Sequence, residues 1–352
     1  MKTFLFSILL VCSTIRVNAA GEQNFYKASD PRFSFMGRVD FSNKDHPRCW
    51  VPGAQISFSF KGSSCTIVLT DEHLYGKNLN YIQLIVDGKY SRFKLLTPES
   101  KVSTGELIDG VHTVILCKST ETNIGYLQFN GVSCGELLPA PALPERKIEC
   151  FGNSITCGTG SDMEEIPCGT GEWQDQHNAW MSYGAQTARA LNAQYHLTSL
   201  SGIGLIHSCC NLDITMPQVY DKISLRENKL LWDFSRYQPD VVTICLGQND
   251  GIQDRKTFCG AYVSFIQTLR KVYPRAQIVL LTSPMADSML LRAMKSNLTE
   301  IAGQARINGD KKVSTYFFSR SYNSGCDTHP SLAEHKLIAG ELTQYLKKKM
   351  HW

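Results

Sequence analysis

Four short stretches carry residue types that can do chemistry together. The apolar run "KIECF" leaves through Gly152-Asn153-Ser154, and "QYHLTSL" is followed by Ser201-Gly202-Ile203-Gly204. "DVVTICL" gives way to Gly247-Gln248-Asn249-Asp250, and "VSTYFF" leads on to Cys326-Asp327-Thr328-His329-Pro330. A serine hydroxyl is a poor nucleophile until a neighbouring imidazole takes its proton, and a tetrahedral intermediate needs N–H donors aimed at its oxyanion. The four stretches supply both. Ser154 is the nucleophile, and His329 acts as base and then as acid. The donors are the backbone N–H of Ser154, the backbone N–H of Gly202 and the side-chain amide of Asn249. Glycine at 202 lets a substrate approach the main chain closely, with Gly204 as the alternative donor. Asp250 reads as a residue that fixes its loop. The chemistry is acyl transfer.

Those residues lie far apart in the chain, so a fold must gather them. From residue 146 onward, strand-like runs ("KIECF", "QYHLTSL", "DVVTICL", "AQIVLLT", "VSTYFF") alternate with helical periodicity in "NAWMSYGAQTARALN" and "KTFCGAYVSFIQTLRKVY". That alternation predicts an α/β domain with a five-stranded parallel sheet covered by helices on both faces. In such sheets ligands bind beyond the carboxyl ends of the strands, which is where all four stretches fall. Ser331 and Glu334 form a capping box that starts the last helix, and "KKKMHW" reads as its cationic last turn.

The preceding half has a different rhythm. "AQISFSF" places Ile56, Phe58 and Phe60 on one face with serines opposite, "VHTVIL" alternates likewise, and Asp87-Gly88, Asp109-Gly110 and Asn130-Gly131 are turn pairs. Short strands of this kind predict an antiparallel β-sandwich, a jelly roll, over residues 20–138. Pro139, Pro141 and Pro144 then deny the backbone both helix and ladder bonds. Residues 139–147 are read as a linker and 148–352 as the second domain.

Residues 1–19 read as a secretory signal peptide: Lys2, an apolar run, then Val17 and Ala19 suited to a cleavage site. Lipid anchoring at Cys12 is disfavoured by Val11, where a small residue normally stands. The expected location is therefore secreted or periplasmic, with no membrane span after cleavage. The formal charge of +4 falls to +2 once Lys2 and Arg16 leave, which calls for neither nucleic acid nor an anionic surface. Of the 13 cysteines, none forms a C-x-x-C pair, so no metal site is read, and no other cofactor is implied. Cys117, Cys150 and Cys245 sit inside apolar runs as small hydrophobes, while some of the others are expected to pair in a pattern the sequence leaves open. "GTGSD" and "GTGEW" are not phosphate loops, because no Lys-Ser or Lys-Thr follows the glycines. His177, His196 and His207 lack ligand spacing and read as surface or packing residues. Asn297-Leu298-Thr299 is a glycosylation sequon.

"FGNSITCG", "SGIGL", "GQND" and "DTHPS", in this order, resemble the four blocks of the SGNH or GDSL hydrolases, which lack the G-x-S-x-G elbow. The sandwich, the proline-rich joint and "RKIECFGNSITCG" resemble carbohydrate esterase family two in particular. That resemblance implies a jelly roll joined to a flavodoxin-like SGNH domain, and removal of acetyl groups from acetylated polysaccharides such as xylan and mannan. It differs at two places. Asn153 stands where the block has aspartate, and Cys326 stands where D-x-x-H would put the acid three residues before His329. The third catalytic member is then Asp327 or, as the family allows, a main-chain carbonyl. The insertion "SDMEEIPCGTGEWQDQHN" offers Trp173 as a sugar-stacking face, whereas Trp180 reads as helix core and Trp50 as structural. Two other functions compete: a carbohydrate-binding protein with an inactive hydrolase domain, and a short-chain lipid or lysophospholipid esterase. Acetate release separates the first, and acyl length the second.

Overall fold

The computed structural model describes residues 23–352. The expected signal peptide lies outside the described residues. No helix among the described residues is long and apolar enough to cross a membrane.

The N-terminal domain is an antiparallel assembly organised by one long strand, β1 (Gln55–Asp71). Its first half pairs with β2 (Gly110–Lys118), its second half with Glu99–Ser103, and β3 (Leu127–Leu138) runs beside both. The partner changes just after Gly62. Ile56, Phe58 and Phe60 are fully buried as their alternation requires, and Phe33 packs edge-on against Phe58 and Phe129. Ser57 and Ser59 on the opposite face are also buried. That face is covered because the sandwich docks on the second domain, where the Gln55 side-chain amide donates to Tyr195 Oη at 2.6 Å.

After an irregular stretch over residues 139–145, five strands form a parallel sheet: β4 (Arg146–Gly152), β5 (Ala193–Ser199), β6 (Val241–Cys245), β7 (Gln277–Leu281) and β8 (Val313–Tyr316). Their spatial order is β5-β4-β6-β7-β8, the flavodoxin-like arrangement whose crevice opens where the order reverses beside β4. Ser154 follows β4, at that switch point. The expected helix over residues 178–192 is shorter: α2 spans Tyr183–Ala190, preceded by a 3₁₀ turn at Ala179–Met181 after a four-residue α1 (Ser154–Cys157). Ser182 breaks the two apart with extended backbone. α3 (Arg255–Val272), α4 (Ser288–Ile307) and α5 (Leu332–Met350) complete the layers, and α5 starts at the Ser331/Glu334 capping box.

A buried ion pair also fastens the two domains. Arg38 donates to Glu149 Oε1 at 2.6 Å and to the carbonyls of Tyr220 and Lys222, with neither charged side chain exposed. Burial alone would raise the Glu149 carboxyl, but Arg38 and hydrogen bonds from Tyr273 and Thr198 outweigh it and hold the group below its ordinary value. Removing one member of such a pair costs about 3–5 kcal/mol, since the other charge is left buried alone.

Candidate active site

Each of the four chemistry-bearing stretches leaves the carboxyl end of the sheet, and local packing explains their shapes. Gly152 is required by close approach: a Cβ there would run into the side chain of Thr156 one turn on. Asn153 is the N-cap of α1, its Oδ1 accepting from Ile155 N at 3.2 Å, while its Nδ2 is buried without a partner. Ser154 therefore stands at the first position of a helix, where its own N–H has no intrahelical acceptor.

His329 Nε2 lies 2.8 Å from Ser154 Oγ, although 175 residues separate the two in sequence. The ring's other nitrogen, Nδ1, lies 3.1 Å from the carbonyl oxygen of Cys326, which also accepts the His329 main-chain N–H at 3.0 Å. Of the two candidates for that position, the Cys326 carbonyl and not the Asp327 carboxylate stands at hydrogen-bond distance from Nδ1. The Asp327 carboxylate makes no hydrogen bond to the ring, because its backbone sits at φ 50° and its side chain is exposed. Burial pushes the imidazole below its ordinary pKa, opposed by the Cys326 carbonyl. Burial thus favours the neutral ring. A neutral imidazole with Nδ1–H fixed on a carbonyl presents a free Nε2 lone pair to the serine, which is the tautomer that accepts its proton.

The donor side is equally ordered. Gly202 adopts φ 82°, in the left-handed region, and its N–H donates to no protein acceptor. Gly204, the alternative, is already committed, since its N–H donates to Ser208 Oγ at 3.0 Å. The Asn249 amide gives one hydrogen to the Ile203 carbonyl at 2.8 Å and keeps a second N–H. Asp250 fixes its neighbourhood. Its carboxylate accepts from the N–H groups of Leu205, Ile206 and His207 at 2.7–3.1 Å, tying the loop after β5 to the loop after β6.

Glu121 has no counterpart among the sequence expectations, His177 takes the packing alternative, and the cysteine pairing left open by the sequence is resolved. Glu121, from the sandwich domain, is fully buried and accepts the Ser201 N–H at 2.8 Å, one residue before Gly202; it also lies 3.6 Å from Cys157 Sγ beneath α1. Burial raises its pKa, opposed by Ser201. Its only sequence signal was a pair of charges, Lys118 and Glu121, closing an apolar strand. His177 is buried, with both ring nitrogens lacking partners, and it meets Trp173 edge-on at 4.3 Å. Burial and the nearby His329 hold it well below its ordinary pKa. Trp173 itself is 42% exposed on the insertion. Finally, Cys168 is disulfide-bonded to Cys326, and Cys209 to Cys210. Cys117, Cys150 and Cys245 are buried free thiols, as expected. Among the described residues no group of three or more His, Cys, Asp or Glu side chains is placed to hold a metal ion.

Residues 35–141 match the family described as carbohydrate esterase 2 N-terminal, and residues 150–308 match the GDSL-like lipase/acylhydrolase family. An acetylxylan esterase/glucomannan deacetylase of Cellvibrio japonicus is 31% identical over 371 residues, covering 99% of each chain. The chain belongs to carbohydrate esterase family two. It is a carboxylic ester hydrolase. The cellulase/esterase CelE of Acetivibrio thermocellus is 35% identical over 92% of this esterase, which spans 40% of CelE's length. Among solved structures, a family two esterase from Clostridium thermocellum in complex with cellohexaose superposes with TM-score 0.83 at 34% identity, covering 91% of this chain and 99% of that one. A Cellvibrio japonicus family two esterase gives TM-score 0.85 at 30% identity, covering 94% and 98%.

Proposed function

We propose that this esterase removes O-acetyl groups from polysaccharide of the xylan or mannan type through an acetyl-serine intermediate. The observation that carries the reading is the 2.8 Å contact between His329 Nε2 and Ser154 Oγ, with the ring's far side held by the Cys326 carbonyl. Ser154 attacks the acetyl carbonyl as His329 takes its proton. The oxyanion is received by the N–H of Ser154, the N–H of Gly202 and the free N–H of Asn249. His329 then protonates the departing sugar hydroxyl, and water, deprotonated by the same ring, releases acetate. The Cys326 carbonyl takes the place of the third catalytic member. Trp173 presents its exposed ring as a stacking platform for a sugar face.

The names of the relatives support the acetyl and polysaccharide parts of the reading, as does the cellohexaose bound in a structural neighbour. Export through a cleaved leader fits a substrate too large to enter a cell. The test is acetate release from acetylated xylan and acetylated glucomannan, measured beside Ser154→Ala. The reading predicts release from at least one polymer by the native enzyme and none by the variant. Equal release by both, or a preference for long acyl chains over acetyl, overturns it.

A further inference from the structure

The disulfide between Cys168 and Cys326 joins segments 158 residues apart. One end is the residue whose carbonyl receives both the main-chain N–H and the ring Nδ1 of His329. A carboxylate in that place would attract the imidazolium as it forms and so hold the ring by charge. A carbonyl is neutral and offers a weaker restoring force, so the ring can be no better fixed than the backbone bearing the carbonyl.

That backbone is not in a relaxed conformation. Asp327 and Thr328, immediately after Cys326, have φ 50° and 59°, values that residues with a Cβ keep only when their surroundings over-determine them. The main chain supplies some of this restraint: Cys326 N donates to Gly160 O at 2.8 Å and Gly325 N to His329 O at 2.7 Å. A covalent tie also reaches this backbone through sulfur. Cys168 belongs to the insertion after the nucleophile, where the buried Gln176 amide donates to the carbonyls of Ile166 and Thr170 at 3.3 and 2.9 Å and so anchors the turn carrying Cys168.

We propose that the Cys168–Cys326 disulfide is a positioning device for the catalytic base, clamping the carbonyl that orients His329 to the insertion that bears Trp173. This rests on the reading of Ser154 and His329 as the catalytic pair. Because Cys168 is exposed while Cys326 is buried, a dithiol attacks at the Cys168 end. The exchange carries two electrons and two protons to the protein, leaves two thiols and closes the reagent to its own disulfide.

The experiment compares the native enzyme with Cys168→Ser/Cys326→Ser on p-nitrophenyl acetate, each before and after dithiothreitol. Loss of the clamp is expected to lower kcat by about ten- to a hundredfold with KM within about twofold, the signature of a displaced base and not of a lost binding surface. Dithiothreitol should bring the native enzyme to the variant's rate and leave the variant unchanged. A variant with native kcat overturns the proposal. So does an equal loss in both proteins on reduction, which would assign the effect to Cys209–Cys210. Should the variant fail to fold, native enzyme reduced under mild conditions and alkylated at Cys168, verified by mass, replaces it, and an unchanged kcat there is equally fatal. Ser154→Ala runs alongside. Activity in that protein overturns the catalytic pair and the clamp together, whereas an inert Ser154→Ala beside a fully active double variant overturns the clamp alone.

Discussion

The ring of His329 is held from behind by the carbonyl oxygen of Cys326, 3.1 Å from Nδ1, while the adjacent Asp327 side chain points its charge into solvent. On the proposed mechanism the ring needs no carboxylate partner. Asp327→Asn is expected to keep kcat within about threefold of native, since it removes only a screened charge near the ring. His329→Ala removes the base itself and should lower kcat by about a thousandfold or more. Steady-state kinetics on p-nitrophenyl acetate separates the two. An Asp327→Asn enzyme as crippled as His329→Ala would restore the aspartate to the catalytic set.

The same burial sets the pH response. His329 must be neutral to accept the serine proton, and desolvation lowers its pKa in spite of the carbonyl acceptor. Activity is thus lost as pH falls through the depressed value, and the acid limb of kcat/KM should lie below about 6.5, the ordinary histidine position. The nearby Asp327 charge opposes this shift without a hydrogen bond to the ring, and burial outweighs it. A limb above about pH 7, as a buried carboxylate partner would produce, contradicts the geometry.

Asn249 shares its amide between the Ile203 carbonyl and the site, so its orientation is fixed before substrate arrives. Pre-oriented donors of this kind contribute mainly to the transition state. Asn249→Ala should cost about 2.7–4 kcal/mol in kcat/KM, with most of it in kcat. Asn249→Asp is worse or equal, because a carboxylate repels the oxyanion. If both variants change only KM, Asn249 contacts substrate and not the developing charge.

The sequence was most readable where a residue's neighbours in the chain decide its role. The central strands β6 and β7 are buried along their whole length, and Ser154, Gly202, Asn249 and His329 stand just past four of the five strands or on the loop beyond, so topology alone brings them to one edge. Gly202 could be separated from Gly204 only in three dimensions, because the hydroxyl that occupies the Gly204 N–H comes from Ser208. Asp327 drew attention because charge is visible in a sequence and a main-chain carbonyl is not. The pairing of Cys168 with Cys326 depends on the path of an irregular insertion that has no period to read. Glu121 lay beyond reach for another reason: its partner is in the other domain, and nothing in "KSTETNI" indicates which surface that domain meets.

Glu121 carries a direct contact from the sandwich domain to the loop that bears Gly202. Its carboxylate accepts the Ser201 N–H at 2.8 Å and passes under Cys157, so a side chain from one domain supports the backbone on either side of the oxyanion site in the other. Glu121→Ala leaves the part-buried Ser201 N–H without its acceptor, a loss of about 1 kcal/mol in stability, and frees the peptide that sets the direction of the Gly202 N–H. Glu121→Gln keeps an acceptor oxygen of the same reach. The alanine variant is therefore expected to lose about tenfold in kcat with little change in KM, and the glutamine variant to recover most of it. Thermal unfolding run beside the kinetics distinguishes this from simple destabilisation, since a Glu121→Ala protein that is less stable yet fully active would confine Glu121 to holding the domains together.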